Sequence, residues 1–142
     1  MEGLEALAEV RRASAIPIAA DESVNDAADA ERARELAACD MATVKLSKVG
    51  GPEEALRVAA QIPVYLSSAL DGPVGIAAAG HVAQALRDRG DAGVAHGLAT
   101  QRLFGNSVAA VGPELRDGAL HLPPGPGLGV EIDDAALKRH RL

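Results

Sequence analysis

Apolar residues gather in four short, nearly continuous runs, and each run gives way to a stretch with helical spacing. The runs are IPIAADES (16–23), MATVKLSKVGG (41–51), IPVYLSSALDG (62–72) and AGVAHGLAT (92–100). Ile16, Ile18 and Ala20 predict a first strand, and Thr43, Val44 and Leu46 a second. Residues 63–67 predict a third and 93–97 a fourth. Ahead of the first run, Leu4, Leu7, Ala8 and Val10 share a helical face that must stop before Pro17. Asn25 or Asp26 caps a helix over 28–38, with Leu36 and the alanines turned inward. After Gly50-Gly51, Pro52 suits the first position of a helix continuing over 53–61. The longest helix covers 74–87, alanine-rich and largely buried, and Gly90 closes it. A short helical segment over 101–111 ends near Gly112-Pro113.

The texture then changes. Residues 116–122 read as one exposed strand, PPGPGLG (123–129) as irregular chain, and Asp133 as the cap of a final turn. Strand starts near 16, 42, 63 and 93 repeat every ~20–30 residues, the period of parallel strands with helical crossovers. The fold class is therefore α/β, with about four parallel βα units over 1–112 and a C-terminal segment over 113–142. Continuous apolar runs predict strands buried on both faces. Four units make half of an eight-unit barrel of typically ~250 residues. A half barrel leaves two strand edges unpaired, so a missing N-terminal half or self-association is expected.

Composition narrows the function classes. The chain has 142 residues, a net charge of −6 and 48% hydrophobic residues, with Tyr65 and Phe104 as its only aromatics. An acidic chain without stacking platforms is not a nucleic-acid binder. No apolar stretch approaches the ~20 residues of a membrane span, and the acidic, amphipathic start is no signal peptide. Cys39 is the single cysteine, which rules out an internal disulfide and a thiolate zinc cluster. It fits a buried structural thiol in a reducing, cytoplasmic setting.

Charged and hydroxyl groups at the C-terminal ends of successive strands are how a β/α barrel builds an active site. Asp21 reads either as a hard-cation ligand for Mg²⁺ or as a helix cap in a βα loop. Lys45 sits in an otherwise apolar run; it is either a buried base or anion-stabiliser, or an edge lysine reaching solvent. Glu22 pairs with Lys45 or Lys48, or stands behind the site. Ser67 and Ser68 either bind a substrate carboxylate or carbonyl, or bond nearby backbone. His96 reads as a core histidine donating to a backbone carbonyl. There is no Gly-x-Ser-x-Gly elbow, no phosphate loop and no dinucleotide fingerprint.

As a set, these residues resemble the second half of the catalytic barrel of the enolase superfamily, and specifically of its o-succinylbenzoate synthases. IPIAADES resembles the fifth barrel strand, whose aspartate metal ligand falls on Asp21. ATVKLSKVGG resembles the sixth, whose lysine falls on Lys45. IPVYLSSALDGPVGIAAA resembles the seventh, whose serine pair lines the substrate pocket at Ser67 and Ser68. HGLATQRLF resembles the eighth strand and loop, and PPGPGLGVEID the segment that returns along a capping domain. The resemblance implies Mg²⁺-dependent dehydration of a small-molecule carboxylate, a step toward menaquinone, through an enediolate. A lysine on the second barrel strand would be the acid/base, and Lys45 would face it across the intermediate. That strand, two further metal carboxylates and the capping domain are not in these residues, so an incomplete chain with little activity alone is expected. A racemase of N-acylamino acids on the same barrel, or a non-catalytic half barrel that self-associates, are the alternatives. A flavodoxin-like domain would need a phosphate- or flavin-binding first loop, which DESVNDAA does not supply.

Overall fold

Alternation along three short strands sets the architecture. The computed structural model describes residues 3–88 and 94–140. Strands β1 (Ala19–Ala20), β2 (Met41–Val44) and β3 (Val64–Leu66) form a parallel sheet in that order. Ala20 pairs with Ala42, Ala42 with Val64 and Val44 with Leu66. All five of these side chains are buried. They face the layer made by α1 (Leu4–Ala13), α2 (Ala27–Glu35), α4 (Pro52–Ala59) and α5 (Pro73–Asp88). The intervening residues turn to the other face, as a period of two requires. There Ala19 is exposed, Met41 and Tyr65 are half-buried, and Thr43 is buried. The expectation of strands buried on both faces is therefore corrected: one face is sealed by helices and the other carries polar groups.

The fourth strand is reduced as well. Gly93 lies outside the described residues, and the stretch after it joins the sheet by one parallel bridge, Ser67 to Gly97. The Gly97 N–H donates to Leu66 O at 2.8 Å and the Ser68 N–H to Gly97 O at 3.0 Å.

The helices start largely where the polar residues say. Asp26 caps α2 by accepting the Asp29 N–H at 2.8 Å, while Asn25 instead bonds the Asp29 carboxylate. Pro52 opens α4, and Glu54 in its first turn accepts the Ala27 N–H at 2.9 Å, joining α4 to α2. Val10 and Ile16, expected inside, are exposed, because nothing described covers that side of α1 and β1. Gly90, expected to close α5, lies outside the described residues.

The C-terminal third departs most from its local pattern. In place of a helix over 101–111 there is a 3-10 turn (Thr100–Leu103) and then strand β4 (Ala109–Val111). β4 pairs antiparallel with β7 (Glu131–Ile132), across the boundary expected at residue 113. In place of one strand over 116–122 there is a hairpin, β5 (Glu114–Arg116) and β6 (Ala119–His121). Its turn is Asp117-Gly118, with φ of 51° and 76°, the pair of left-handed residues that matches the twist of two adjoining strands. Leu120 and Leu122 then lie against α5 at Gly80, where a Cβ would come within 2.6 Å of Leu122 Cδ2. Residues 123–129 stay irregular, and Asp133 caps α6 (Asp134–Arg139) by accepting the Ala135 and Ala136 N–H groups.

At the opposite end of the sheet from the strand tips, Arg11 on α1 grips Asp40 with Nε at 3.0 Å and Nη2 at 2.7 Å. The second oxygen of Asp40 accepts the Ile18 N–H at 2.7 Å, so one carboxylate ties α1 to the entries of β1 and β2. The Arg11 hydrogen bond, then the Ile18 N–H, hold the Asp40 carboxyl below its ordinary value. Half-buried Cys39 beside it has its thiol pushed up by burial, the state of an inert structural cysteine.

A carboxyl with a lowered folded-state pKa stabilises the fold above its ordinary value of about 3.9, and loses that contribution as pH falls through the lowered one. The melting temperature of the chain is thus expected to be level from neutrality to about pH 5 and to drop below about pH 4. Asp40→Asn is expected to melt lower at neutral pH and to show a shallower acid drop. Circular dichroism melts across that range decide it, and parallel acid drops would remove Asp40 from the account.

Candidate functional site

Three strand tips meet on the face that the helices leave uncovered. Asp21 follows β1 directly, Lys45 follows β2 and Ser67 follows β3. Lys45 is still extended (φ −113°, ψ 116°) and shares a face with Thr43 two residues earlier. Leu46, expected in the strand, instead starts a four-residue helix, α3 (Leu46–Val49). The turn closes because Gly50 (φ 94°) can be left-handed, and the Gly50 and Gly51 N–H groups return to Leu46 O. Lys45 is thereby fixed where sheet becomes helix.

The side chain of Lys45 is only 15% exposed, and its ammonium is not left alone. It donates to Asp21 Oδ1 and stands 3.4 Å from Glu22 Oε1. Glu22 Oε2 in turn accepts from Lys48 on α3. Charges alternate along the chain of contacts: Asp21, Lys45, Glu22, Lys48. Lys45 is thus well covered and paired, where the alternative reading expected an edge lysine reaching solvent.

The two serines part company. Ser67 is half-buried on the face of Lys45, and its Oγ lies 3.1 Å from where a Cβ on Gly97 would stand. Ser68 is buried, and its hydroxyl is engaged by Gly97 O at 3.2 Å and Thr100 Oγ1 at 2.7 Å. His96, expected in the core, is exposed, and its Nδ1 accepts the Leu66 N–H at 3.0 Å.

Sequence reasoning passed over Thr43 and Tyr65. They are register partners on the same face, with their hydroxyls hydrogen-bonded at 2.6 Å. The signal was there: each is a polar residue two positions before a candidate, Lys45 or Ser67, in an otherwise apolar strand.

A Mg²⁺ ion takes several hard oxygen ligands. Asp21 fits as one ligand, being a hard oxygen at a strand tip that already holds a cationic group, the Lys45 ammonium. Among the described residues no group of three His, Cys, Asp or Glu could hold a metal ion, so Asp21 alone does not complete a site. Also among the described residues, no helix is long and apolar enough to cross a membrane.

The chain is similar over most of its length to known proteins. The model of the enolase C-terminal domain-like family matches residues 1–136. Muconate cycloisomerase 1 of Rhodococcus opacus is 35% identical over 96% of the chain and 37% of its own length. The o-succinylbenzoate synthase of Thermobifida fusca is 44% identical over 71% of the chain and 32% of its own length. The muconate lactonizing enzyme of Pseudomonas putida superposes with a TM-score of 0.87 at 30% identity, over 96% of this chain and 38% of that one. The chain thus spans roughly a third of the length of the relatives it matches, 32–37% for these two curated proteins.

The Ser68 hydroxyl predicts a structural effect. Ser68→Ala removes a hydroxyl that the half-buried Thr100 hydroxyl and the Gly97 carbonyl both engage, an expected loss of about 0.5–1.5 kcal/mol. Ser67→Ala is expected to change stability by less. Denaturant melts give the energies, and faster hydrogen exchange at the Gly97 amide in Ser68→Ala alone would locate the loss at the bridge.

Proposed function

The chain belongs to the enolase C-terminal domain-like family, and from that premise we propose that it supplies one wall of an active site that removes a proton alpha to a carboxylate. The observation that carries the reading is the Lys45 ammonium, well covered yet held at a strand tip on the uncovered face by Asp21 and Glu22. An ammonium so placed donates hydrogen bonds to an enediolate as its charge develops, and charge that is fixed in advance needs no reorganisation during the step. Its partners keep it aimed. Ser67, on the same face, would bind an oxygen of the substrate, and Ser68 would hold the adjoining bridge in register.

The finer reading is o-succinylbenzoate synthase chemistry: loss of the alpha proton, then of hydroxide, with water as the balancing product. Its support is the 44% identity to the Thermobifida fusca enzyme, which runs over most of the chain. A base from outside the 142 residues would take the proton while Lys45 faces it. Bound Mg²⁺, with Asp21 among its ligands, would supply further positive charge at the substrate carboxylate. We take the working protein to be this chain together with whatever completes its barrel, called here the assembled enzyme, and to act in the cytoplasm.

A second reading is cycloisomerisation of a muconate-type dicarboxylate. It is favoured by the match to muconate cycloisomerase 1, which spans 96% of the chain against 71% for the synthase.

In the assembled enzyme, Lys45→Ala is expected to lower kcat by about 10²–10⁴-fold with Mg²⁺ binding largely intact. Asp21→Asn is expected to weaken Mg²⁺ binding in a calorimetric titration. Turnover retained in Lys45→Ala would overturn the assignment of Lys45. Assays with both substrate classes separate the two readings.

A further inference from the structure

Glu22 touches no substrate in the reaction drawn above, yet it is the residue that joins both lysines. We propose that Glu22 is a positioning residue for Lys45, and that Lys48 is the group that keeps Glu22 in place. The inference rests on the reading of Lys45 as the residue facing the substrate anion.

The backbone makes the arrangement specific. Consecutive side chains in a strand point to opposite faces, so Asp21 and Glu22 could not both reach one ammonium from β1. Residues 21–23 leave the strand in a turn, and both carboxylates converge on Lys45. The Asn25 side chain donates to Glu22 O at 3.5 Å within that turn. On the other side, Lys48 is one helical turn from Lys45, and its N–H donates to Lys45 O at 2.9 Å. The position of Lys48 is thereby tied to that of Lys45 through α3, and its ammonium reaches the far oxygen of Glu22.

A lysine ammonium sits on a flexible four-carbon stem, and one carboxylate restrains it along a single direction. A second carboxylate restrains it along another. Asp21 also has a competing duty in the proposed site as a cation ligand, and Glu22 is the anion that stays with Lys45 when Asp21 is engaged. Glu22 is 72% exposed and Lys48 35% exposed, so their pair is a weak contributor to fold stability. Its consequence is the aim of Lys45.

The test uses Glu22→Gln, Lys48→Met and Lys48→Arg in the assembled enzyme, with kcat and KM from steady-state assays and Mg²⁺ affinity from calorimetry without substrate. Glu22→Gln is expected to lower kcat about 10-fold, the scale of a small misplacement of a reacting group, with KM and Mg²⁺ affinity within about 2-fold of the parent. Lys48→Met is expected to lower kcat in the same sense, Lys48→Arg to restore it, and the Glu22→Gln/Lys48→Met pair to be no slower than Glu22→Gln alone. Unchanged kcat in Glu22→Gln overturns the proposal. So does a loss of Mg²⁺ affinity equal to that of Asp21→Asn, which would make Glu22 a metal ligand, or an additive double variant, which would give Lys48 a role of its own. Lys45→Ala is the separate control: if it stays active, the reading of Lys45 fails, whereas an inactive Lys45→Ala beside a fully active Glu22→Gln sinks only this inference.

Discussion

Side chains on a strand alternate, and in this chain the alternation is used to keep two incompatible populations apart. Ala20, Ala42, Val44, Val64 and Leu66 go to the helices and are buried. Every residue between them is sent to the other face by the same geometry, which is why Thr43, Lys45, Tyr65 and Ser67 end up together. A one-residue slip of β2 against its neighbours would push Lys45 toward the apolar layer and bring Val44 out. The register is therefore a condition of both the core and the candidate site, and the parallel ladder from Ala19 to Leu66 enforces it.

Electrostatics is layered onto that frame at both ends of the sheet, with different partners. At the entry end, Asp40 takes two bonds from Arg11 and one from Ile18, and closes α1 onto the strands. At the tips, Lys45 has two carboxylates and Glu22 two ammoniums. The first cluster joins elements far apart in sequence and acts on folding. The second lies on a face that the described helices do not cover, where a well-covered lysine at a strand tip would otherwise face an uncompensated desolvation penalty. Under the proposed function this costly residue is one of the groups that a β/α barrel carries at its strand tips.

The C-terminal third is bound to the rest by small residues and by pairing, without a large core of its own. Gly80 lets Leu120 and Leu122 approach α5 closely, and β4 meets β7 across an irregular proline- and glycine-rich stretch. The tail, expected to run back along a capping domain, is partly fastened to the βα units themselves.

The sequence by itself carried the order of βα units, the caps at Asp26, Pro52 and Asp133, and the candidates Asp21, Lys45 and Ser67, because these depend on local spacing and on residue chemistry. The family resemblance was legible for the same reason: short motifs in a fixed order survive as text. Tertiary structure alone decided the rest. Leu46 left its strand for α3 because Gly50 closes a turn around it, and Ala109–Val111, at the end of an expected helix, became β4 because a partner, β7, lies some twenty residues further on. Ser67 and Ser68 are adjacent and chemically identical, yet one faces Lys45 and the other is bonded to Gly97 and Thr100. Alternation already puts Ser67 on the face of Lys45, but the partners that hold the Ser68 hydroxyl depend on where a fourth segment docks, a long-range contact no local pattern encodes.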